Sequence, residues 1–304
     1  MIAEPHLTWN LFADLAQVWS LPSMVNAYRA GSVIAVVAGI TGWFLVLRRL
    51  TFAAHTIAVA GFPGAAGAVL IGVGVSWGYY GFCTAAALVI AAAAAPGAGG
   101  PARDSAVTGV VQAFVLACGM LFVTLYRGFL NGINALLFGT FLGVTDRDAR
   151  AVAVVAVLVL VVLAGIGRPL LFASIDPAVA AARGVPVRTL GLVFLVTLGV
   201  AVAQVSQITG SLLVFALLVA PGATAQRLTA RPVLGLVLSV LIALSVTWLG
   251  LGAAYFSVYP VGFFITTFAF AGYVLATACT TAAGLLPRAA RMIGVRTTAG
   301  RAAA

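Results

Sequence analysis

Residues 151–167 read AVAVVAVLVLVVLAGIG, without one charged, amide or hydroxyl side chain. A helix of that length spans about 25 Å, and a bilayer core of about 30 Å is crossed by roughly 17–25 predominantly apolar residues. The stretch reads as a membrane span, and it sets the standard for the rest of the chain. Working outward, nine segments meet that standard, near 26–47, 55–75, 79–95, 105–126, 150–167, 189–208, 211–226, 233–256 and 261–285, with 79–95 and 211–226 at the short end. The expected fold is an all-α, polytopic membrane protein of about nine transmembrane helices, or eight if a short segment fails to cross. Alternating strands of roughly ten residues, the mark of a membrane β-barrel, are not visible. Composition agrees: 63% of the 304 residues are hydrophobic, 7% are charged and the mean hydropathy is +1.18, beyond the range of water-soluble domains.

A net charge of +10 invites nucleic acid as a partner, but the basic residues are all arginine and sit at span ends, so topology explains them and no nucleic-acid partner is expected. With the N-terminus outside, the cytoplasmic side collects Arg48, Arg49, Arg103, Arg168, Arg183, Arg188, Arg227, Arg231, Arg288, Arg291, Arg296 and Arg301. The outer side keeps Arg29, Arg127, Arg147 and Arg150. That asymmetry is the positive-inside pattern, and it predicts an odd number of spans with the C-terminus inside.

Three regions follow. Residues 1–23 lack the basic start and compact apolar stretch of a signal peptide; Leu11, Phe12, Leu15, Val18 and Trp19 recur at helical spacing and predict an interfacial lead-in. Residues 24–287 form the transmembrane domain, and 288–304 a basic cytoplasmic tail, read as a solvated topology signal with contact to anionic lipid headgroups as the alternative. The run AAAAAPGAGGPARD (91–104) is a helix-breaking connection, and LLFGTFLGV (136–144) is too short to cross, so it is either a re-entrant element or a surface helix. AGFPGAAGA (60–68) spaces small residues for close helix approach. Cys83, Cys118 and Cys279 fall inside spans without ligand spacing and read as small core hydrophobes.

What drives any transport is constrained by what is missing. A secondary transporter needs an ionisable group in the membrane, yet Glu4, Asp14, Asp104, Asp146, Asp148 and Asp176 all fall in loops or termini. A nucleotide-binding P-loop needs a lysine, and the chain has none. No clustered nucleophile, acid or base suggests an enzyme. A channel, a structural protein and a permease driven by a separate ATPase are left.

Four stretches, in order, resemble the permeases of bacterial zinc and manganese ABC importers: RRLTFAAHTIAVAGFPGAAGAVLIG (48–72), LLFGTFLGVTDRD (136–148), SIDPAVAAARGVPV (174–187) and GSLLVFALLVAPGATAQRL (210–228). The last, ending in Pro-x-Ala-Thr-Ala, is the most specific. The resemblance implies a permease in the bacterial cell membrane, a homodimer, a dimeric ATP-binding subunit that holds the ATP, and an extracellular binding protein; this chain itself binds no cofactor. It makes 174–187 the cytoplasmic coupling helix that rests on the ATPase. Independently of any family, the arginine pattern places 168–188 in the cytoplasm. Asp176 with Pro177 is a good helix start, Ala178–Ala182 are strong helix formers and Gly184 a stop. Asp176, Pro177, Ala181, Arg183 and Gly184 are therefore the coupling candidates.

The chain departs from the family where a metal is expected to bind. The family's second helix carries an Asp and, four residues later, a His; here those positions hold His55 and Val59. Thr140 and Tyr259 stand where further acids are usual. His55 is the one metal candidate, with Cys83, Cys118, Gln112 or Gln204 as possible co-ligands, a set suited to zinc or copper more than manganese. A polar, silent histidine is the plainer reading. Pro63 and Pro221 free backbone carbonyls inside spans, so Val59, Pro63, Gln112, Gln204 and Pro221 are the translocation-path candidates. The leading expectation is ATP-driven import of a transition metal; the alternatives are a chelated or neutral cargo on the same machinery and a non-transporting structural or sensory membrane protein.

Overall fold

The computed structural model describes residues 17–93, 101–125, 139, 143–211, 213–257 and 259–301. They form ten helices: α1 (Pro22–Leu47), α2 (Thr51–Ile71), α3 (Val75–Ala93), α4 (Pro101–Leu125), α5 (Asp146–Ile175), α6 (Pro177–Ala182), α7 (Val187–Thr209), α8 (Val214–Leu228), α9 (Pro232–Tyr255) and α10 (Val261–Arg301). Among the described residues, eight helices are long and apolar enough to cross a membrane. The ninth expected span, 211–226, appears as α8, whose 15 residues extend only about 22 Å. The chain ahead of it, Gly210 and Ser211, is buried, so this break in the helical backbone is sheltered by protein, as a low-dielectric setting demands.

Burial sorts the helices into a centre and a shell. Two-thirds of the most apolar window is buried in α1, α2 and α7, against 22% in α5. Yet α5 has the highest mean hydropathy, 2.7. Lipid solvates leucine and valine as well as a protein core does, so apolarity does not pull a helix inward here. Small and polar side chains do: the centre holds Thr41, Thr56, Gln204, Ser206, Thr209, Ser239 and Thr247, all fully or almost fully buried. Several clip helices together. Ser239 Oγ donates to the Gly39 carbonyl at 2.7 Å, Gln226 Nε2 to the Trp43 carbonyl at 2.9 Å, and the Trp248 indole to Ser32 Oγ at 2.9 Å.

The small-residue run at 60–68 does what its spacing predicts. Gly64 on α2 and Gly78 on α3 face each other, and a Cβ on either would fall inside van der Waals contact of the other's carbonyl. Helix ends are equally determined. Arg49 sits in the left-handed region at φ 57°, where the Arg49 amide donates to the Val46 carbonyl and the Leu50 amide to Leu45, each at 3.1 Å. This is a Schellman stop, with an arginine where glycine is usual. At the start of α5, Thr145 Oγ1 accepts from the Asp148 amide while the Asp148 carboxylate accepts from Thr145, a full capping box.

Two sequence expectations are adjusted. The fifth span does not stop near 167; α5 continues through Pro169 to Ile175, because LLFASI restores an apolar helical run after the proline. Cys279 is exposed on the outer face of α10, whereas Cys83 is buried. Of the lead-in, only residues from 17 on are described: Val18 is buried and Trp19 stacks on Tyr28 with centroids 6.0 Å apart. The connection at 94–100 and most of 136–144 lie outside the described residues, but Gly139 (φ +79°) presses against the backbone of Ile208, Thr209 and Gly210.

Replacing Gly64 by leucine forces α2 from α3 and is expected to destabilise the fold by at least about 2 kcal/mol. A lowered unfolding midpoint in detergent, with Gly81→Leu as a control at a position where an added Cβ meets nothing within 4 Å, checks it.

Candidate functional site

Two regions bear on function: the face of α2 that carries His55, and the junction of α5, α6 and α7 at the arginine-rich end of the bundle. The α2 face begins with His55, whose ring meets the Phe215 ring of α8 edge-on at 5.0 Å between centroids. His55 Nδ1 is buried and accepts no hydrogen bond. Val59 and Pro63 follow at helical spacing on the same stripe, Val59 half-buried and Pro63 buried. Proline has no amide hydrogen, so Pro63 removes the helical bond that would end on the carbonyl of Val59, four residues earlier. Valine's side chain is no ligand, but its main-chain oxygen is released on the stripe that carries His55.

The other expected co-ligands are held elsewhere. Gln112 of α4 accepts the Thr56 hydroxyl at 3.2 Å. Cys83 donates to the Ile57 carbonyl at 3.4 Å. Gln204, fully buried on α7, donates through Nε2 to the Val152 carbonyl of α5, and its Oε1 is buried without a partner. None of these bonds involves His55 Nδ1. Among the described residues, no group of three or more His, Cys, Asp or Glu side chains is placed to hold a metal ion. Pro221 is buried in α8, and the neighbouring Gly222 packs directly on the backbone of Gly42 and Trp43 in α1. The path candidates thus divide: His55, Val59, Pro63 and Gln112 line α2 and its contact with α4, while Gln204 belongs to the α5–α7 contact and Pro221 to α1–α8.

A polar cavity that sequence reasoning missed lies beside that α5–α7 contact, with Val152 in its wall. It holds about 390 Å³ and is lined by Ser76, Tyr79, Tyr80, Asp148 and Gln207, among others. Its residues come from α3, α5, α7 and the loop at Gly143 and Val144, far apart in sequence, and no local spacing signals them.

At the arginine-rich end, α6 is a six-residue helix between two long ones. The Asp176 carboxylate caps it, accepting from the Ala178 amide at 3.1 Å and the Val179 amide at 3.0 Å, and Pro177 takes the first helical position. The C-terminal end is a Schellman stop: the Val185 amide donates to Ala180 and the Gly184 amide to Ala181, both at 3.0 Å, with Gly184 at φ +81°. Ala180 packs inward, while Pro177, Val179, Ala181, Ala182 and Arg183 are exposed. This is a rigid, small-residue knob.

Arg48, unremarked in sequence beyond its charge, ties this knob to the start of α2. Its Nη1 donates to Ser174 Oγ at 3.3 Å, and its guanidinium carbon lies 5.7 Å from the centre of the Phe194 ring of α7. Its Nε is buried without a partner, and burial pushes its pKa below the ordinary arginine value. Ser174 is two residues from the Asp176 cap, and Arg48 three from the first residue of α2.

Residues 20–280 match the profile of the ABC 3 transport family. The chain belongs to that family. Among curated ABC 3 relatives, a manganese transport system membrane protein of Halalkalibacterium halodurans is 27% identical over 73% of this chain and 75% of its own length. A chelated iron transport system membrane protein of Yersinia pestis is 28% identical over 81% of each. The structure of PsaBC from Streptococcus pneumoniae in complex with Fab overlaps with a TM-score of 0.77 at 24% identity, covering 88% of this chain and 95% of that one, which supports the fold. With eight apolar spans and ABC 3 membership, the protein is a multi-pass protein of the bacterial cytoplasmic membrane.

The α6 geometry generates a test. Asp176→Ala removes a cap of about 1 kcal/mol, and Gly184→Val forces a β-branched residue into left-handed backbone at about 1–2 kcal/mol. Together they are expected to leave membrane insertion intact but to abolish transport and substrate-stimulated ATP hydrolysis in the reconstituted complex; undiminished stimulation refutes a coupling role for α6.

Proposed function

We propose that this chain is the membrane-spanning permease subunit of an ATP-driven importer that moves a transition metal ion of the manganese or zinc type. The carrying observation is α6, a capped and exposed knob joining two spans of an ABC 3 family member. Such an element can receive the motion of an ATPase and pass it on to α5, α7 and, through Arg48, α2. In this reading the arginine-rich end is cytoplasmic and the N-terminus is outside. ATP is bound and hydrolysed on a separate, dimeric ATP-binding subunit, and an extracellular binding protein delivers the metal to the opposite end. The fold also leaves α4 and α10 mostly uncovered, 17% and 22% buried over their apolar windows. That exposure fits a homodimer in which two copies of the chain share one pathway.

Coupling to an external ATPase is also what the acids favour. Asp146, Asp148 and Asp176 lie at helix starts, Asp148 and Asp176 as caps, and among the described residues none stands inside the hydrophobic interior. A divalent ion in a low-dielectric path needs charge compensation or several ligands. His55 Nδ1 and the Val59 carbonyl supply two neutral donors on one stripe, and a homodimer doubles them.

Among the described residues no His, Cys, Asp or Glu group of three or more forms around His55, which favours a second reading, in which the same machinery carries a chelated metal whose charge is already neutralised. The chelated iron relative from Yersinia pestis supports that reading equally. The two differ in whether uptake follows free metal or requires a chelator.

If His55 contributes a ligand, His55→Ala is expected to lower uptake of one metal roughly tenfold, the equivalent of about 1.4 kcal/mol, in proteoliposomes containing the full complex. A small and equal effect on every metal assigns His55 a packing role against Phe215.

A further inference from the structure

Helices α5 and α9 both pack on α1 but leave a groove between them. It encloses about 490 Å³ and is lined by Ile40 and Phe44 on its floor, Leu160 and Leu163 on the α5 wall and Leu236 on the α9 wall, with Arg168 and then Leu171 toward one end. From Leu160 to Leu171 it runs about 16 Å along α5, from the middle of the span toward the arginine-rich end, with Arg168 about one turn short of that end. There Pro232 lines it as well, preceded in the chain by the exposed Arg231. No carboxylate lines it. Val161 at 65% and Val233 at 78% exposure carry the apolar surface outward around its mouth, so the groove opens where lipid surrounds the bundle.

Size and charge select the occupant. A helix with its side chains is 10–12 Å across, and 16 Å of it displaces about 1,300 Å³, more than twice the groove. An acyl chain is slim enough to lie in it. A guanidinium near the headgroup end of an otherwise apolar slot matches a phosphate, which arginine binds with charge-assisted, paired hydrogen bonds, and basic pockets between helices on the cytoplasmic side are suited to anionic lipid. We propose that this groove is a binding site for an anionic phospholipid of the inner leaflet, one acyl chain lying along α1 and the phosphate held by Arg168. Seated there, the lipid bridges α5, which leads into α6, and α9, so that the slot is filled whenever the bundle stands in an anionic membrane.

The test uses the purified, delipidated importer complex, its unfolding midpoint and its retained lipid measured by native mass spectrometry after addition of phosphatidylglycerol, phosphatidylcholine or inorganic phosphate. Phosphatidylglycerol is expected to be retained and to raise the midpoint, phosphatidylcholine to do so less, and inorganic phosphate not at all. Arg168→Gln is expected to cut phosphatidylglycerol retention about tenfold, the loss of one charge-assisted hydrogen bond, whereas Arg168→Lys keeps most of it. A Cβ at Gly167 meets only Phe44 Cζ, at 3.9 Å, so Gly167→Phe has room to fill the slot and is expected to abolish retention of both lipids at this site. Wild-type retention in both Arg168→Gln and Gly167→Phe overturns the proposal. So does efficient disulfide linkage of two copies through Val233→Cys in native membranes, since a second copy then occupies the face.

Discussion

Inside a hydrocarbon layer an unpaired backbone amide or carbonyl costs several kcal/mol, and the places where this chain interrupts its helices depend on that constraint. It does so in three ways. The break between α7 and α8 is buried beneath other elements, with Gly139 pressed on it. The prolines of α2 and α8 release carbonyls in the interior of the bundle, not on its lipid face. The helices that end at Arg49, Gly72 and Gly184 do so in left-handed residues whose following amides return to the last turn. Each of these is either closed on itself or turned toward protein; Pro169, in the shell helix α5, is the exception, freeing the carbonyl of the exposed Gly165. The carbonyl of Val59 belongs to the second group, and its position on the His55 stripe gives the neutral face of α2 a way to meet a cation.

The same setting reverses the usual ordering of core and surface. The most apolar helix, α5, stands in the shell, and the centre sets alanine, glycine, serine and threonine among buried large side chains such as Phe194, Leu45 and Ile57. Close backbone approach brings the central helices together, which is why Gly64 and Gly78, or Gly42 and Gly222, matter more than any leucine in the shell. It also explains how the arginine-rich end can be mechanically connected. With α1, α2 and α7 packed at the centre, one arginine reaching from the α1–α2 turn to Ser174 and Phe194 links the knob at α6 to the helix that bears His55.

Much of this was legible in the sequence. All nine segments correspond to helices whose starts lie within about four residues of the expected ones, because each needs only apolar length. The α6 element was legible from Asp176, Pro177 and Gly184, since caps are local chemistry. Length alone misjudged α8, where the chain enters the bundle already below the surface, and the end of α5, where a proline bends but does not stop a helix. The surroundings of His55 were not legible. Phe215 lies 160 positions away on a helix whose facing side is chosen by packing, and the amides named as co-ligands were drawn to Thr56 and Val152 by contacts that no spacing encodes. Arg48 was visible only as a charge; its burial depends on where α5 ends and α7 begins.

The central claim is that this protein takes a transition metal into the cell. It is tested most directly by the elemental content of cells lacking the gene, against complemented cells, grown under metal limitation and compared across manganese, iron, cobalt, nickel, copper and zinc. A selective fall in one element, restored by the gene and not by its Asp176→Ala, Gly184→Val form, is the predicted result. No change in any element, with other importers of those metals also removed, contradicts it.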